Sequence, residues 1–335
     1  MSVIQSKNVR VVTIGGGTGS FTLLSEFKHY FNQLTAIVNM ADDGGSTGTL
    51  RDELGVLPPG DVRQCLVALS KAPELRDLFN YRFSEGSLSG QSFGNLFLSA
   101  AEKVGEDFES AVELASHVLR IQGKVVPVTT DNAELLLRWG DETIRGQFNI
   151  QAHDFAGRAR PQLSLVPASH LSTAAADAIS KADLVVIAPG ALYTSLAPAL
   201  IVDGMADALE STDATIVYVC NLVTKPGQTD GFKVHDYAAE IERFIQRPVL
   251  DYVIYNTDRP EPHIQDKYIH AGELLVGVDE RSLHVAAYKA IGLPLIAHDF
   301  VLPTNDGDAI ANTRSFIRHK ADAVAEALIQ LAADR

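Results

Sequence analysis

The sequence predicts an α/β protein built around a mostly parallel sheet, and three observations predict it. Short, largely apolar β-branched runs recur along the chain, as expected of strands buried on both faces. A glycine-rich turn follows directly on the first of them. Helically spaced apolar residues follow the turn, so strand, turn, helix and strand make a βαβ unit, normally right-handed.

In chain order, the first run is Val9 to Ile14 (VRVVTI). Phe21, Leu24, Phe27 and Phe31 then share one face of a helix, and Leu34 to Met40 (LTAIVNM) is the second strand. Residues 87–123 read as helical, and Val125 to Ile150 reads as short antiparallel strands: VVPVTT, AELLLRW and TIRGQFNI. Ala182 to Ala188 (ADLVVIA), Ala214 to Asn221 (ATIVYVCN) and Leu250 to Tyr255 (LDYVIY) are further buried strands. Ala321 to Arg335 is an amphipathic helix that could bury against the body or against a second subunit of a homo-oligomer. No repeat or low-complexity linker interrupts the chain. Residues 1–335 therefore read as one domain, with a small α+β insertion around 125–175.

Charge and composition narrow the function. A net charge of −14 argues against nucleic acid and anionic membranes as partners, since both select a basic surface. An anionic ligand must then be held by local donors. Cys65 and Cys220 lie in apolar runs and read as buried free thiols of a reducing compartment. The sequence shows no zinc pattern, no signal-peptide core and no apolar stretch of about 20 residues. A soluble, cytoplasmic protein is expected.

The polar residues cluster where strands end, which in an open parallel sheet is where ligands bind. The first cluster is Gly15-Gly16-Gly17-Thr18-Gly19-Ser20. Glycines permit positive φ and close backbone approach, so successive N–H groups of Gly16, Gly17, Thr18 and Gly19 can face a phosphate at a helix N-terminus. Ser20 or Thr18 could cap that helix. No Gly-Lys-Ser/Thr follows, so this is not a Walker loop. Asn39 stands where a dinucleotide-binding chain carries an acidic residue, which disfavours a nicotinamide dehydrogenase.

The second cluster is Ala41-Asp42-Asp43-Gly44-Gly45-Ser46-Thr47-Gly48, running on to Pro58-Pro59-Gly60-Asp61-Val62-Arg63. Asp42 and Asp43, ahead of a second glycine loop, suit a Mg²⁺ bridging phosphates, or sugar hydroxyls, or a solvated turn. Arg51, Asp61 and Arg63 read either as phosphate contacts or as an ion-pair cluster ordering the long loop. The third cluster, Ser89 to Leu96, puts Ser92, Gly94 and Asn95 at a helix start, where the glycine and asparagine need a packing or ligand reason. The fourth is Pro189-Gly190-Ala191-Leu192-Tyr193-Thr194-Ser195, with Thr194 and Ser195 at a strand-to-helix turn. No Gly-x-Ser-x-Gly elbow is present, and no His/Cys pair stands out as catalytic. His235 reads as a surface or capping residue.

Taken in this order, IGGGTGS, ADDGGSTGTLRDELGVLPPGDVRQCLVAL, LSGQSFGNLFLSA, PGALYTSLAPAL and VCNLVTKPGQTDGF resemble the YvcK family of bacterial gluconeogenesis factors. Its relatives include the 2-phospho-L-lactate transferase CofD. The resemblance implies a Rossmann-like three-layer α/β/α fold and a cytoplasmic protein without established catalysis. It also implies binding of a uridine diphosphate sugar such as UDP-N-acetylglucosamine. The implied role is in cell shape and peptidoglycan supply during gluconeogenic growth, through an unidentified protein partner in cell-wall synthesis. It implies nucleotide-sugar contacts across the four clusters, from Asn221 after the fourth strand run, and from Tyr268 and Arg318 by position and local motif. The chain departs from the family pattern at Ala188-Pro189-Gly190-Ala191, where glycine-proline-glycine-serine is usual, and at His319-Lys320, where His-Asp is expected. Two classes of function follow: a nucleotide-sugar-binding regulator, or a Mg²⁺-dependent phosphoryl-ester transferase of the CofD type using Asp42 or Asp43.

Overall fold

The fold grows from β1 (Arg10–Gly15), whose side chains after Arg10 are all buried. A computed structural model of the protein describes residues 8–105, 107–155, 160–297 and 317–334. After β1 come α1 (Gly17–Tyr30), β2 (Gln33–Val38), α2 (Gly45–Leu54), α3 (Gly60–Leu69), α4 (Pro73–Asn80), α5 (Phe93–Val104) and α6 (Phe108–Leu119). Then follow β3 (Lys124–Pro127), β4 (Glu134–Trp139), β5 (Glu142–Arg145), α7 (Gln147–Ala152), β6 (Gln162–Val166), α8 (Thr173–Ser180) and β7 (Leu184–Ile187). A π-helical turn over Leu192–Leu196 leads into α9 (Ala197–Leu200) and α10 (Met205–Ser211). The chain continues through β8 (Thr215–Val219), α11 (Val234–Ile245), β9 (Tyr252–Asn256), α12 (Pro262–His270), α13 (Glu280–His284), β10 (Lys289–Leu293) and α14 (Ala321–Ala333).

Seven strands make one sheet in the order β10-β9-β8-β7-β1-β2-β3, and every pairing within it is parallel. From β1 the chain builds outward through β2 to β3, then returns to β7 and builds the other way. The strand order therefore reverses between β1 and β7, which opens a crevice beyond their carboxyl ends. At the opposite end, Arg10 grips Asp183 through both its backbone N–H (2.8 Å) and its guanidinium (2.7 Å), fixing the β1–β7 register. Helices cover both faces, and the fold is the Rossmann-like α/β class that the sequence predicts.

On α1, Leu23, Leu24 and Phe27 are fully buried, and Phe27 meets Phe31 edge-on at 5.8 Å. Phe21, expected on that face, is only partly buried. α3 and α14 pack on α1, so the C-terminal helix buries against the body of its own chain. Lys28 is buried with it, its ammonium donating to the carbonyls of Ala68 (2.7 Å) and Ser70 (3.0 Å) at the end of α3. Burial pushes that ammonium's pKa down.

Two expectations for 125–150 are corrected. Lys124–Pro127 is a parallel edge strand of the main sheet, paired with β2, rather than part of an antiparallel set. Its four residues carry no periodicity that separates the two cases. The run TIRGQFNI is a strand only up to Arg145. Gly146, at φ 85°, breaks it, and α7 begins at Gln147. What remains antiparallel is a three-stranded sheet, β5-β4-β6, forming a lobe with α7. Cys65 and Cys220 are free and buried. No helix among the described residues is long and apolar enough to cross a membrane.

Candidate functional site

The glycine turn works through contacts that a side chain would block. Gly17, at φ 66°, opens α1, and Gly16 fills the N-cap position in extended backbone without a capping side chain. A Cβ at Gly16 would strike the Asp61 carboxylate, and one at Gly19 would run into the Pro189 carbonyl. Thr18 and Ser20, expected as caps, lie within the first turn instead, because the helix begins at Gly17. Thr18 is exposed, and the Ser20 hydroxyl is buried without a hydrogen-bond partner.

Asp61 is the residue that sequence reasoning undervalued. It sits at the start of α3, 6% exposed, where its Oδ1 accepts the Gly17 N–H at 2.9 Å. The Asn39 amide donates to its other oxygen at 3.5 Å, while the Asn39 carbonyl oxygen accepts the Ala41 N–H. Burial, and then the charge of Asp42, push the Asp61 carboxyl up to about 7. The Gly17 and Asn39 donors and the Arg63 charge pull the other way without winning. Local sequence carried one signal, an acid two residues after Pro59, and that pattern fits an ordinary helix first turn equally well.

Asp42 and Asp43 diverge. Asp42 accepts the Gly44 N–H at 3.1 Å, and burial raises its pKa against that bond and one from Thr47. Asp43 turns toward the lobe, where its Oδ1 accepts the Phe148 N–H at 2.7 Å. The expected second glycine loop is instead the first turn of α2, begun at Gly45. Gly48 is required there, since a Cβ would strike the Asp43 carbonyl. Among the described residues no group of three or more His, Cys, Asp or Glu side chains is arranged to hold a metal ion.

The ion-pair cluster expected of Arg51, Asp61 and Arg63 takes another form. Arg51 pairs with its neighbour Asp52 at 3.3 Å. Arg63 donates to Asn95 (2.9 Å) and Asn80 (2.9 Å), and Asn95 in turn donates to the Ser46 hydroxyl at 3.2 Å. Ser92 also joins this network, its N–H donating to Ser46 and its hydroxyl to the Phe79 carbonyl. Ser92 and Asn95 are thus buried in bonds that lock the starts of α2, α3 and α5 together. Gly94 has a packing reason, because a Cβ would lie 2.7 Å from the Phe79 carbonyl oxygen.

Across the crevice, the turn after β7 is bracketed from β8. Asn221 donates to the Gly190 carbonyl at 2.7 Å, and its own oxygen accepts the Gly190 N–H at 3.4 Å and the Tyr218 hydroxyl at 3.3 Å. Ser195 faces Gly17: its hydroxyl lies 4.0 Å from where a Gly17 Cβ would stand. Thr194 is 1% exposed, and its hydroxyl has no hydrogen-bond partner among the described residues. Tyr193 points away from these, packed between Phe155 (5.0 Å) and Phe244 (5.9 Å).

The C-terminal residues close one side. The Tyr268 hydroxyl accepts the Ile317 N–H at 2.7 Å, and the Arg318 carbonyl accepts the Ala297 N–H at 3.0 Å. Burial holds the His319 ring neutral by lowering its pKa to about 4, and its Nε2 donates to the Cys220 carbonyl at 3.0 Å. Gly16 to Gly19, Asn39, Asp42, Gly190, Thr194 and Ser195 therefore meet at the β1–β7 crevice, with Asn221 bracketing it and the Tyr193 ring turned away into the core. Ser92 and Asn95 stand behind it, and Tyr268 holds the segment that carries Arg318.

These features define a Rossmann-like α/β protein with its polar turns gathered at a strand-order reversal. The comparisons with known proteins make that specific. Residues 11–300 match the family described as 2-phospho-L-lactate transferase CofD. A "Gluconeogenesis factor" of Halalkalibacterium halodurans is 38% identical over 97% of this chain and 97% of its own length. A Clostridium acetobutylicum protein is 37% identical over 98% of this chain and 71% of its own. A crystal structure of a UPF0052-family protein from Bacillus halodurans superposes with a TM-score of 0.85 at 35% identity, covering 96% of this chain and 99% of that one. The chain belongs to the CofD/YvcK family, among its gluconeogenesis factors.

Proposed function

We propose that the protein binds a nucleotide sugar of the UDP-N-acetylglucosamine class along the carboxyl edge of β1 and β7, as a cytoplasmic regulator of cell-wall precursor supply and cell shape in gluconeogenic growth. One observation carries this reading: two helical turns face each other across the strand-order reversal, with first-turn N–H groups beyond Gly17, which Asp61 holds, that no helix carbonyl can satisfy. The excluded Cβ positions at Gly16 and Gly19 and the unpartnered Thr194 hydroxyl support it. This reading assigns the crevice no catalytic step.

Asp61 adds a condition. A phosphate at the start of α1 would meet carboxylates at Asp61 and Asp42, so binding should improve when a proton or a cation offsets them. Isothermal titration calorimetry with UDP-N-acetylglucosamine, with and without Mg²⁺, tests both points. Binding should appear in the micromolar range and tighten with Mg²⁺, and no heat up to millimolar ligand would sink the reading.

A second reading, transfer of the CofD type, draws on that same carboxylate pair. Asp42 and Asp61 are oxygen donors of the kind Mg²⁺ selects, and they would hold it, whereas Asp43 is already committed to Phe148. Mg²⁺ there would supply charge neutralisation for phosphoryl transfer, which relies mainly on positioning and electrostatics. Metal-dependent turnover of a phospho-lactyl nucleotide would establish this reading over the first.

A further inference from the structure

The lobe is fastened to the strand-end turns on both sides of the crevice. At the first turn of α7, the Phe148 N–H is held by Asp43, which stands beyond β2. At its last turn, the Gln228 amide donates to the carbonyls of Ile150 (3.0 Å), Gln151 (3.3 Å) and His153 (3.5 Å). The Phe155 N–H then donates to the Gly227 carbonyl at 2.7 Å. Gly227 and Gln228 stand beyond β8, and in the sheet β1 and β7 lie between β2 and β8. α7 therefore spans the crevice from one flank to the other, packing on the Leu192–Leu196 turn between them.

A six-residue helix is too short to persist by itself, so its place depends on these fastenings. A second connection runs through rings. Trp139, at the end of β4, meets His153 at 6.2 Å; His153 meets Phe155 at 6.4 Å; and Phe155 meets Tyr193 edge-on at 5.0 Å. Tyr193 lies within reach of the charge of Glu240, a fully buried carboxylate that holds Arg243 and Arg160. Arg160 lies just ahead of β6, so the lobe is tied to the residue beside Thr194 by ring packing and by partly exposed arginines paired with a buried carboxylate.

We propose that α7 is a strap that closes over a ligand at Gly17 and Ser195 and passes its occupancy to the three-stranded lobe. This rests on the ligand reading above. Segments that move on binding are drawn from elements of low intrinsic stability, and α7 is one whose hydrogen bonds end on the ligand-facing loops themselves.

The test combines calorimetry with amide hydrogen exchange over residues 147–155 and emission from Trp139, the single tryptophan, using UDP-N-acetylglucosamine and Mg²⁺. Saturating ligand should slow exchange in 147–155 about tenfold and shift the Trp139 emission. Gln228→Leu should speed that exchange about tenfold in the free protein, and raise the ligand's dissociation rate about fivefold with little change in association. Calorimetric binding with unchanged exchange in 147–155 overturns the strap and leaves the ligand reading standing. Absence of heat overturns the ligand reading and the strap with it. A folded Gln228→Leu protein with wild-type exchange and dissociation also overturns the strap. Circular dichroism reports whether that variant folds, and if it does not, exchange in the unaltered chain decides.

Discussion

The turns after β1 and after β7 serve one crevice by opposite means. After β1, side chains are removed: Gly16 and Gly19 admit Asp61 and the Pro189 carbonyl to positions a Cβ would occupy. After β7, a side chain is added: Asn221, 31 residues on, holds both backbone groups of Gly190 and lets a π-helical turn form. A helix start at a strand end can thus be set by local conformational freedom or by a bracket from a neighbouring strand. The first device is visible in six consecutive residues. The second is invisible until the strands are paired.

Substitutions can break each device separately. Gly19→Ala drives a methyl group into backbone rather than into a side chain that could swing aside, so it should cost about 3 kcal/mol. Urea denaturation measures this, and a loss under about 0.5 kcal/mol would mean the two turns do not touch. Asn221→Leu removes the bracket and strands the Gly190 N–H and carbonyl, for about 2 kcal/mol. Asn221→Asp, keeping the acceptor alone, should fall between the two in the same assay.

Asp61 sharpens the comparison through pH. Its folded pKa lies near 7, above the ordinary value of 3.8, so between those limits the folded state holds more protons than the unfolded one. The group's contribution is fully present below the ordinary value and is lost as pH rises through 7. Relative to Asp61→Asn, the unaltered protein should therefore lose about 2 kcal/mol of stability from pH 5 to pH 7. Parallel melting-temperature profiles for the two proteins would contradict this. The smallest effect belongs to Thr194→Val. With no partner lost, stability should stay within about 0.5 kcal/mol, while affinity for UDP-N-acetylglucosamine falls about fivefold. A clear stability loss in the free protein would reveal an internal partner for the hydroxyl.

The sequence made β1, β2, β7, β8 and β9 legible because each is an uninterrupted apolar run ending in a polar turn. β10 escaped because KAIGL is partly exposed at a sheet edge and carries Gly292. The glycines at 44–48 could mark a loop or a tightly packed helix start, and only the approach of the Asp43 carbonyl to Gly48 decides between them. At the site, the glycines are places where other parts of the protein come close: Asp61 at Gly16, the Pro189 carbonyl at Gly19 and the Asp43 carbonyl at Gly48. Hydroxyls and amides did not separate in the same way, because a buried Ser92 or Asn95 tied to a helix start has the same local pattern as one that meets a ligand. Asp42 and Asp43 are adjacent in sequence, yet their carboxylates serve different elements, and the acid whose charge Asp42 acts on lies a helix away at Asp61.

The bond between His319 and the Cys220 carbonyl spans 99 residues. While the chain is being made, the end of β8 emerges long before the imidazole that covers it, and the Tyr268 hydroxyl likewise waits for Ile317. The rim beyond β8 is therefore completed by groups brought from far along the chain, so its order depends on segments distant in sequence holding together.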